Sequence, residues 1–337
     1  MSGPGIGTHA PAPPRLDADA VRRTLKEAGL RARHSLSQNF LADVDVLDAI
    51  LAEAAPVPGR QVLEIGPGLG ILTGGLLAAG AAVTAIELDR ALAARLRSAF
   101  AGPIALAEAD GAAAGGLRLI EGDALDQELT TLLPEPYDVV ANLPYHVTSP
   151  ILHRLLEAPP RPARAVLMVQ REVAERIAAP PGAMSYLSVF VQAHAAVRIA
   201  FRVPPTAFEP EPAVESAVIV VEPAAKGPLA ALSDVEQDDL WRLVQASFRE
   251  RRKMIHNVLT RQLPIPPARV DAVLAATGIA ATRRPQTLGV GAWLALAAAL
   301  GPIGPDRRGR RHPHGPEGGP DDDGREPGPG PLITDES

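Results

Sequence analysis

The sequence predicts an α/β fold: an open, doubly wound sheet followed by a small all-helical unit. Three observations carry this. Short apolar or β-branched runs at 61–65, 82–86, 117–120, 137–141 and 163–169 are interleaved with helix-period stretches, as when strands are joined by crossover helices. The first run opens into Gly66-Pro67-Gly68-Leu69-Gly70 and then a helical stretch, 71–79, the strand, glycine turn and helix that begin a mononucleotide-binding half. From residue 234 onward only helical periodicity continues.

Composition bounds what this fold can do. A chain of 337 residues holds about two domains with ample core. The absence of cysteine excludes disulfides, thiolate metal sites and thiol nucleophiles, and with them methyl transfer to pyrimidine carbon through a cysteine adduct. The eight His lack ligand-like spacing, so no metal site is expected. No apolar run is long enough to span a bilayer and the N-terminus lacks a signal-peptide pattern, which makes the cytoplasm the default location. A formal charge of -6 argues weakly against nucleic acid, but its distribution is uneven.

Residues 1–16, rich in Gly and Pro, are expected to be a disordered extension. Residues 17–30 have helical spacing at Val21, Leu25 and Ala28, with an Asp to cap and Gly29 to stop. A basic, polar approach then reaches Gln38-Asn39-Phe40-Leu41, which either plugs the core beneath the next helix, 44–55, or lies across a ligand as a lid. After the glycine turn the strand at 82–86 ends in Glu87-Leu88-Asp89. Glu87 follows Gly66 by about 20 residues, the spacing at which a carboxylate meets ribose hydroxyls. That much fits a dinucleotide or S-adenosylmethionine equally. Pro67 and the acidic Glu64 lean toward the second, because a carboxylate suits a sulfonium and an amino group better than a pyrophosphate. Asp123, after the strand at 117–120, could accept from an adenine amine or simply cap a turn. Residues 101–116, rich in Ala and Gly, are expected to be a loop.

The strand at 137–141 runs into Asn142-Leu143-Pro144-Tyr145, at the sheet edge where ligands bind. An Asn amide and a carbonyl on a Pro-stiffened loop can accept from one amino group, and a Tyr ring offers a flat face for a base; the plain alternative is an Asn-Pro turn. A short helix, 150–157, the strand at 163–169 and an amphipathic stretch, 170–177, follow; residues 187–195 and 197–203 continue the core. Phe208, held among prolines in 204–212, either lines a base pocket or folds into the core before the last strand, 216–221. Residues 223–233 are expected to link to helices within 234–263, 267–276 and 289–300. The first of these carries Arg249, Arg251, Arg252 and Lys253 with Glu250 as the one interrupting acid, a concentration of charge suited to phosphates. From residue 301 the tail is Gly, Pro, Arg and Asp, compositionally disordered.

With these pieces placed, the chain resembles the ribosomal RNA adenine N6,N6-dimethyltransferases, the KsgA family of 16S rRNA enzymes. The resemblance rests on Ser37-Gln-Asn-Phe-Leu41, Glu64 through Thr73, Glu87-Leu-Asp89, Gly122-Asp-Ala-Leu125, Asn142 through Tyr145, Met168 through Ile177, Val203 through Val218 and Phe248 through Lys253 with Asn257. It implies a Rossmann-like class I S-adenosylmethionine methyltransferase sheet over 17–222, a helical RNA-binding unit over 223–300 and a tail over 301–337. It also implies that Asn39, Leu41, Gly66, Glu87, Asp123 and Asn142 bind S-adenosylmethionine, and that Asn142, Leu143, Pro144 and Tyr145 form the catalytic loop. Tyr145, Phe208 and Phe40 would stack on the base, and a monomer would dimethylate two adjacent adenines near the 3′ end of 16S rRNA on a pre-30S particle. The chain departs from the family pattern at Ser37, at Met184-Ser185-Tyr186 and at Gln286. The nearest alternative is a macrolide-resistance type 23S rRNA adenine dimethyltransferase. More distant ones are an assembly factor with dispensable catalysis and a nicotinamide dehydrogenase.

Overall fold

The computed structural model describes residues 17–33, 38–110, 115–224 and 227–303. Ser37, residues 111–114 of the expected loop, and the expected terminal extensions at 1–16 and 304–337 lie outside the described residues.

Helix α1 (Ala18–Glu27) is capped by Asp17, whose side chain accepts from the Ala20 N–H, and it buries Val21 and Leu25. A two-residue strand, β1 (Phe40–Leu41), leads to α2 (Val44–Ala54), capped by Asp43. The α/β alternation then runs through β2 (Gln61–Ile65), α3 (Ile71–Ala78), β3 (Ala82–Glu87) and α4 (Arg90–Ala99). Residues expected to be a loop form instead α5 (Ala101–Asp110). Alanine's helix preference prevails there over the weak periodicity that hid it. Next come β4 (Leu117–Glu121), the short α6 (Leu129–Leu132), β5 (Tyr137–Asn142), α7 (Thr148–Glu157), β6 (Arg164–Gln170) and α8 (Arg171–Ile177). Helix α9 (Tyr186–His194), β7 (Ala195–Val203), β8 (Phe208–Glu209) and β9 (Ser216–Pro223) complete the strand-bearing part.

The sheet order is β4-β3-β2-β5-β6-β9-β7. Strands β4 through β6 are parallel, and β9 enters antiparallel between β6 and β7. Strand order therefore reverses between β2 and β5, where Leu63 pairs with Val139. Crossover helices leave opposite faces of the sheet at such a reversal, so a crevice opens beyond the C-terminal strand ends. Separately, β1 pairs antiparallel with β8, Phe40 opposite Glu209 and Leu41 opposite Phe208. An Arg22–Glu209 ion pair at 2.7 Å ties α1 to this ribbon.

Helices α10 (Asp234–Phe248), α11 (Ile255–Gln262), α12 (Pro267–Ala276) and α13 (Val290–Leu300) enclose their own apolar cluster around Leu243, Ile255, Val270 and Trp293. Ile303 is buried in it, and its N–H donates to Asp239 Oδ2 at 3.1 Å, so packing extends three residues past the expected boundary at 300. Trp241 of α10 stands 5.2 Å from the Phe190 ring and 5.4 Å from His194, both on α9, which fixes the helices against the sheet unit. The basic run was expected on a helix. It occupies instead the turn between α10 and α11, where Glu250 folds back to Arg261 at 3.1 Å and to Gln262 Nε2 at 2.8 Å. Arg249, Arg251, Arg252 and Lys253 are all exposed.

Candidate active site

One cleft at the strand-order reversal gathers nearly all of the sequence-predicted site residues. Asn39, Phe40, Leu41, Gly66, Glu87, Asp123, Asn142, Leu143, Pro144, Tyr145 and Phe208 all line it, and it encloses about 1290 Å³ counted with its open mouth. Arg249, Arg251, Arg252 and Lys253 do not; they lie on the helical unit.

The floor is the turn after β2. Gly66, Gly68 and Gly70 have φ of 69°, 59° and 80°, left-handed values that side chains resist, so the turn is available only to glycine at low cost. The Gly66 N–H donates to Ile86 O at 2.9 Å, and a Cβ on Gly66 would lie 3.9 Å from Pro144 Cδ, which brings the floor and the β5 loop nearly into contact. Phe40 covers the turn from above: a Cβ on Gly68 would meet its ring at 3.2 Å.

Carboxylates set the field. Glu87 accepts from the Gly68 N–H at 2.9 Å and the Asp89 N–H at 2.8 Å, so it braces the turn and also borders the ligand space. Burial raises its pKa against the lowering effect of those donors. Glu64 is 1% exposed and accepts from Thr73 Oγ1 at 2.6 Å. Burial, with nearby Glu87 adding to it, pushes Glu64 up to about 8. Asp123 accepts from the Leu125 N–H at 2.8 Å, which makes it a turn cap, and it also lines the cleft. Among the described residues neither Lys nor Arg lines the cleft. A pyrophosphate would meet three carboxylates and no cation here, whereas a donor bearing a sulfonium and an ammonium fits this wall.

The loop after β5 is held at several points. The Asn142 Nδ2 donates to Asn39 O at 3.3 Å, which leaves Oδ1 as the acceptor of the amide; the Leu143 N–H donates to Met168 O at 3.0 Å. Leu143 is 1% exposed, so its side chain anchors the loop in the core and only its backbone can face a ligand. Tyr145 is half-buried, with its hydroxyl 3.3 Å from Ser216 Oγ. Phe208 folds into the core, 2% exposed in the core cluster, and its inner side forms part of the cleft wall. Sequence reasoning missed Leu88, an apolar side chain 51% exposed at the cleft mouth, and the exposed His146. For Leu88 a signal existed, since an apolar residue between two acids at a strand end has no core to enter.

Comparison with known proteins gives a consistent picture. The family model described as ribosomal RNA adenine dimethylase matches residues 29–300. The ribosomal RNA small subunit methyltransferase A of Anaeromyxobacter dehalogenans (strain 2CP-C) is 44% identical over 285 residues, 83% of this chain and 97% of that protein. The protein of the same name from Geobacter sulfurreducens is 40% identical over 279 residues, 81% and 96%. Among solved structures, a dimethyladenosine transferase from Plasmodium falciparum superposes with a TM-score of 0.63 at 26% identity, covering 76% of this chain and 95% of that one. The 23S rRNA methyltransferase ErmE gives 0.60 at 28%, covering 78% and 99%.

Proposed function

This chain belongs to the ribosomal RNA adenine dimethylase family, and from that premise we propose the substrate, donor and residue roles that follow. The protein transfers methyl groups from S-adenosylmethionine to the N6 amines of two adjacent adenines in the hairpin near the 3′ end of 16S rRNA, on late pre-30S particles. One observation carries the reading: Asn142 through Tyr145 and the glycine turn with Glu87 and Asp123 share a single cleft. The 40–44% identity to small-subunit enzymes, against 28% to the 23S enzyme ErmE, favours the small subunit.

Residues Asn39, Leu41, Gly66, Glu87, Asp123 and Asn142 would hold the donor, which when bound supplies an electrophilic methyl group on its sulfonium. The adenine amine is a poor nucleophile because its lone pair is delocalised into the ring, and the base must first leave its stack at a cost of a few kcal/mol. Asn142 Oδ1 accepts one amine hydrogen. The Pro144 carbonyl already accepts the Val147 N–H at 3.2 Å, so the second acceptor is assigned to the Leu143 carbonyl. Both contacts turn the nitrogen lone pair toward the donor side of the cleft. Tyr145 forms the platform for the base, with Phe208 and Phe40 as walls. No side chain is needed to remove a proton before transfer; placement supplies most of the rate. Arg249, Arg251, Arg252 and Lys253 bind the RNA backbone from the helical unit.

Mass spectrometry of rRNA from cells with and without the protein tests the whole reading. Two dimethylated adenines in 16S rRNA should disappear with the gene, and unchanged 16S rRNA with a lost 23S modification would overturn the substrate assignment.

A further inference from the structure

The Tyr145 ring sits on a short support whose fixed points lie earlier in the loop, at Asn142 and Leu143. It begins a three-residue 3₁₀ turn, Tyr145–Val147, whose preceding Pro144 makes no side-chain cap. Within its own loop, its carbonyl receives only a long contact from Thr148 Oγ1 at 3.5 Å. Its far end, however, reaches another element. The phenol oxygen lies 3.3 Å from Ser216 Oγ, and Ser216 is 1% exposed at the first position of β9. That position is paired on both sides, with Gln170 of β6 and Val203 of β7, so the anchor belongs to the most constrained part of the sheet.

Ser216 needs an explanation of its own. It opens β9 ahead of the apolar run Ala217–Val221, and an alanine there would pack without a polar atom to satisfy. Among the described residues the Tyr145 hydroxyl is the one partner of its Oγ. A buried hydroxyl at that register, within hydrogen-bond reach of the phenol oxygen, holds the far end of the ring's long axis from outside the loop.

We propose that Ser216 is a positioning residue for methyl transfer: its hydroxyl keeps the Tyr145 ring from swinging about χ1 away from the place where the extruded adenine stacks. This rests on Tyr145 being the base platform. A ring fixed at one end only would swing about its χ angles and let the amine drift from the line of transfer. A ring fixed at both ends is oriented before the base arrives, so the ordering cost is not met in the transition state. The bond should therefore act on the transfer rate and leave donor binding untouched.

A double-mutant cycle tests this with the full chain, S-adenosylmethionine and small-subunit particles lacking the modification. Ser216→Ala and Tyr145→Phe remove the two ends of one bond. Each should slow single-turnover transfer by about 3- to 10-fold, as expected for loss of one net hydrogen bond. Donor affinity should stay within about twofold, and the double variant should be no slower than the slower single variant. Full-rate transfer by Ser216→Ala, or losses that multiply in the double variant, would overturn the proposal. Should Ser216→Ala fail to fold, Tyr145→Phe decides alone, and a full rate there also overturns it. Tyr145→Ala separates the two levels of inference. If it transfers at full rate, the platform reading itself fails; if it is slow while Ser216→Ala is not, only the role of Ser216 fails.

Discussion

Replacing Glu64 with glutamine should uncouple donor binding from pH. The carboxyl is 1% exposed, its acid form is favoured by burial and by the neighbouring Glu87, and its pKa lies near 8. At pH 6 only about 1% of the free protein would carry the charge, by the tenfold-per-unit rule of titration. A sulfonium donor with its ammonium and carboxylate has a net positive charge, so it binds best to the ionised form and must expel the proton to do so. The apparent dissociation constant should fall about tenfold per pH unit between roughly 6 and 8, with about one proton released per donor bound at pH 6.5. Calorimetry in two buffers of different ionisation enthalpy counts that proton. Glu87, Asp123 and His146 also line the cleft, but they are present in both proteins, so the difference between wild type and Glu64→Gln isolates Glu64. The glutamine retains the shape and can still accept from Thr73 Oγ1, so the part of the pH slope that Glu64 contributes should be absent from its affinity. Equal proton release in the two proteins, or none in the wild type, would refute the reasoning. Stability supplies a second arm with a definite sign. A carboxyl whose folded pKa is raised from 4.5 favours the native state when protonated. That contribution is complete below about 4.5 and is lost as pH rises toward 8. Glu64→Gln should therefore unfold at higher denaturant than wild type near pH 8, and the gap should close toward pH 4.5.

Three further outcomes are expected. Asn142→Ala should reduce methyl transfer by at least about 100-fold through misplacement of the amine, with an unchanged melting transition, measured by single-turnover assay and circular dichroism. Gly70→Ala should destabilise by about 2–4 kcal/mol in urea titration. Its φ of 80° is strained for alanine, and the new Cβ would meet Phe100 Cε2 at 2.5 Å and Leu96 Cδ2 at 2.8 Å; a loss below about 0.5 kcal/mol would contradict the packing. Arg251→Glu with Arg252→Glu should weaken rRNA binding and lower the salt slope by roughly one unit per lost phosphate contact, leaving donor affinity unchanged in filter-binding and calorimetric assays.

The middle of the sheet was legible because β2, β3, β5, β6 and β9 are buried on both faces. Such strands appear as continuous apolar runs bounded by Gly, Pro or Asp, and the run at 61–65 became β2 with both ends as expected. The glycine turn was legible for a related reason, since three positive φ angles admit little else. Two elements were hidden by weaker signals. Helix α5 draws on Ala107 and its neighbours with almost no amphipathic contrast, so periodicity could not separate it from a loop. The basic run looked helical because it sits between two real helices, but charge carries no period of its own and the break after Phe248 has no Gly or Pro to mark it. Most of the cleft lining was named from the sequence, Leu88 and His146 excepted. Ser216, lying over 70 positions from Tyr145, was not, because no local pattern in the sequence encodes a contact between a strand start and a distant loop.

The charge distribution resolves an apparent conflict between a net charge of -6 and an RNA substrate. Glu87, Asp123 and the ionisable Glu64 line the cleft, where the proposed donor is a cation. The exposed cations from Arg249 to Lys253 stand on a separate helical unit, where Glu250 is drawn aside by Arg261 and Gln262. At physiological ionic strength fields fall off over about 8 Å, so an acidic cleft and a basic turn act on different parts of the same ligand pair. Phosphates crossing the turn are attracted there, while the uncharged adenine can enter the cleft without bringing phosphate against its carboxylates. On the proposed reading the acidic wall would favour the cationic donor and keep the RNA backbone out of the place where only a base should go. Reversing the sign of Glu87 with Lys should accordingly lose donor binding while gaining non-specific RNA affinity in filter binding. Weakened RNA affinity in that variant would show that the cleft wall does not act by repulsion.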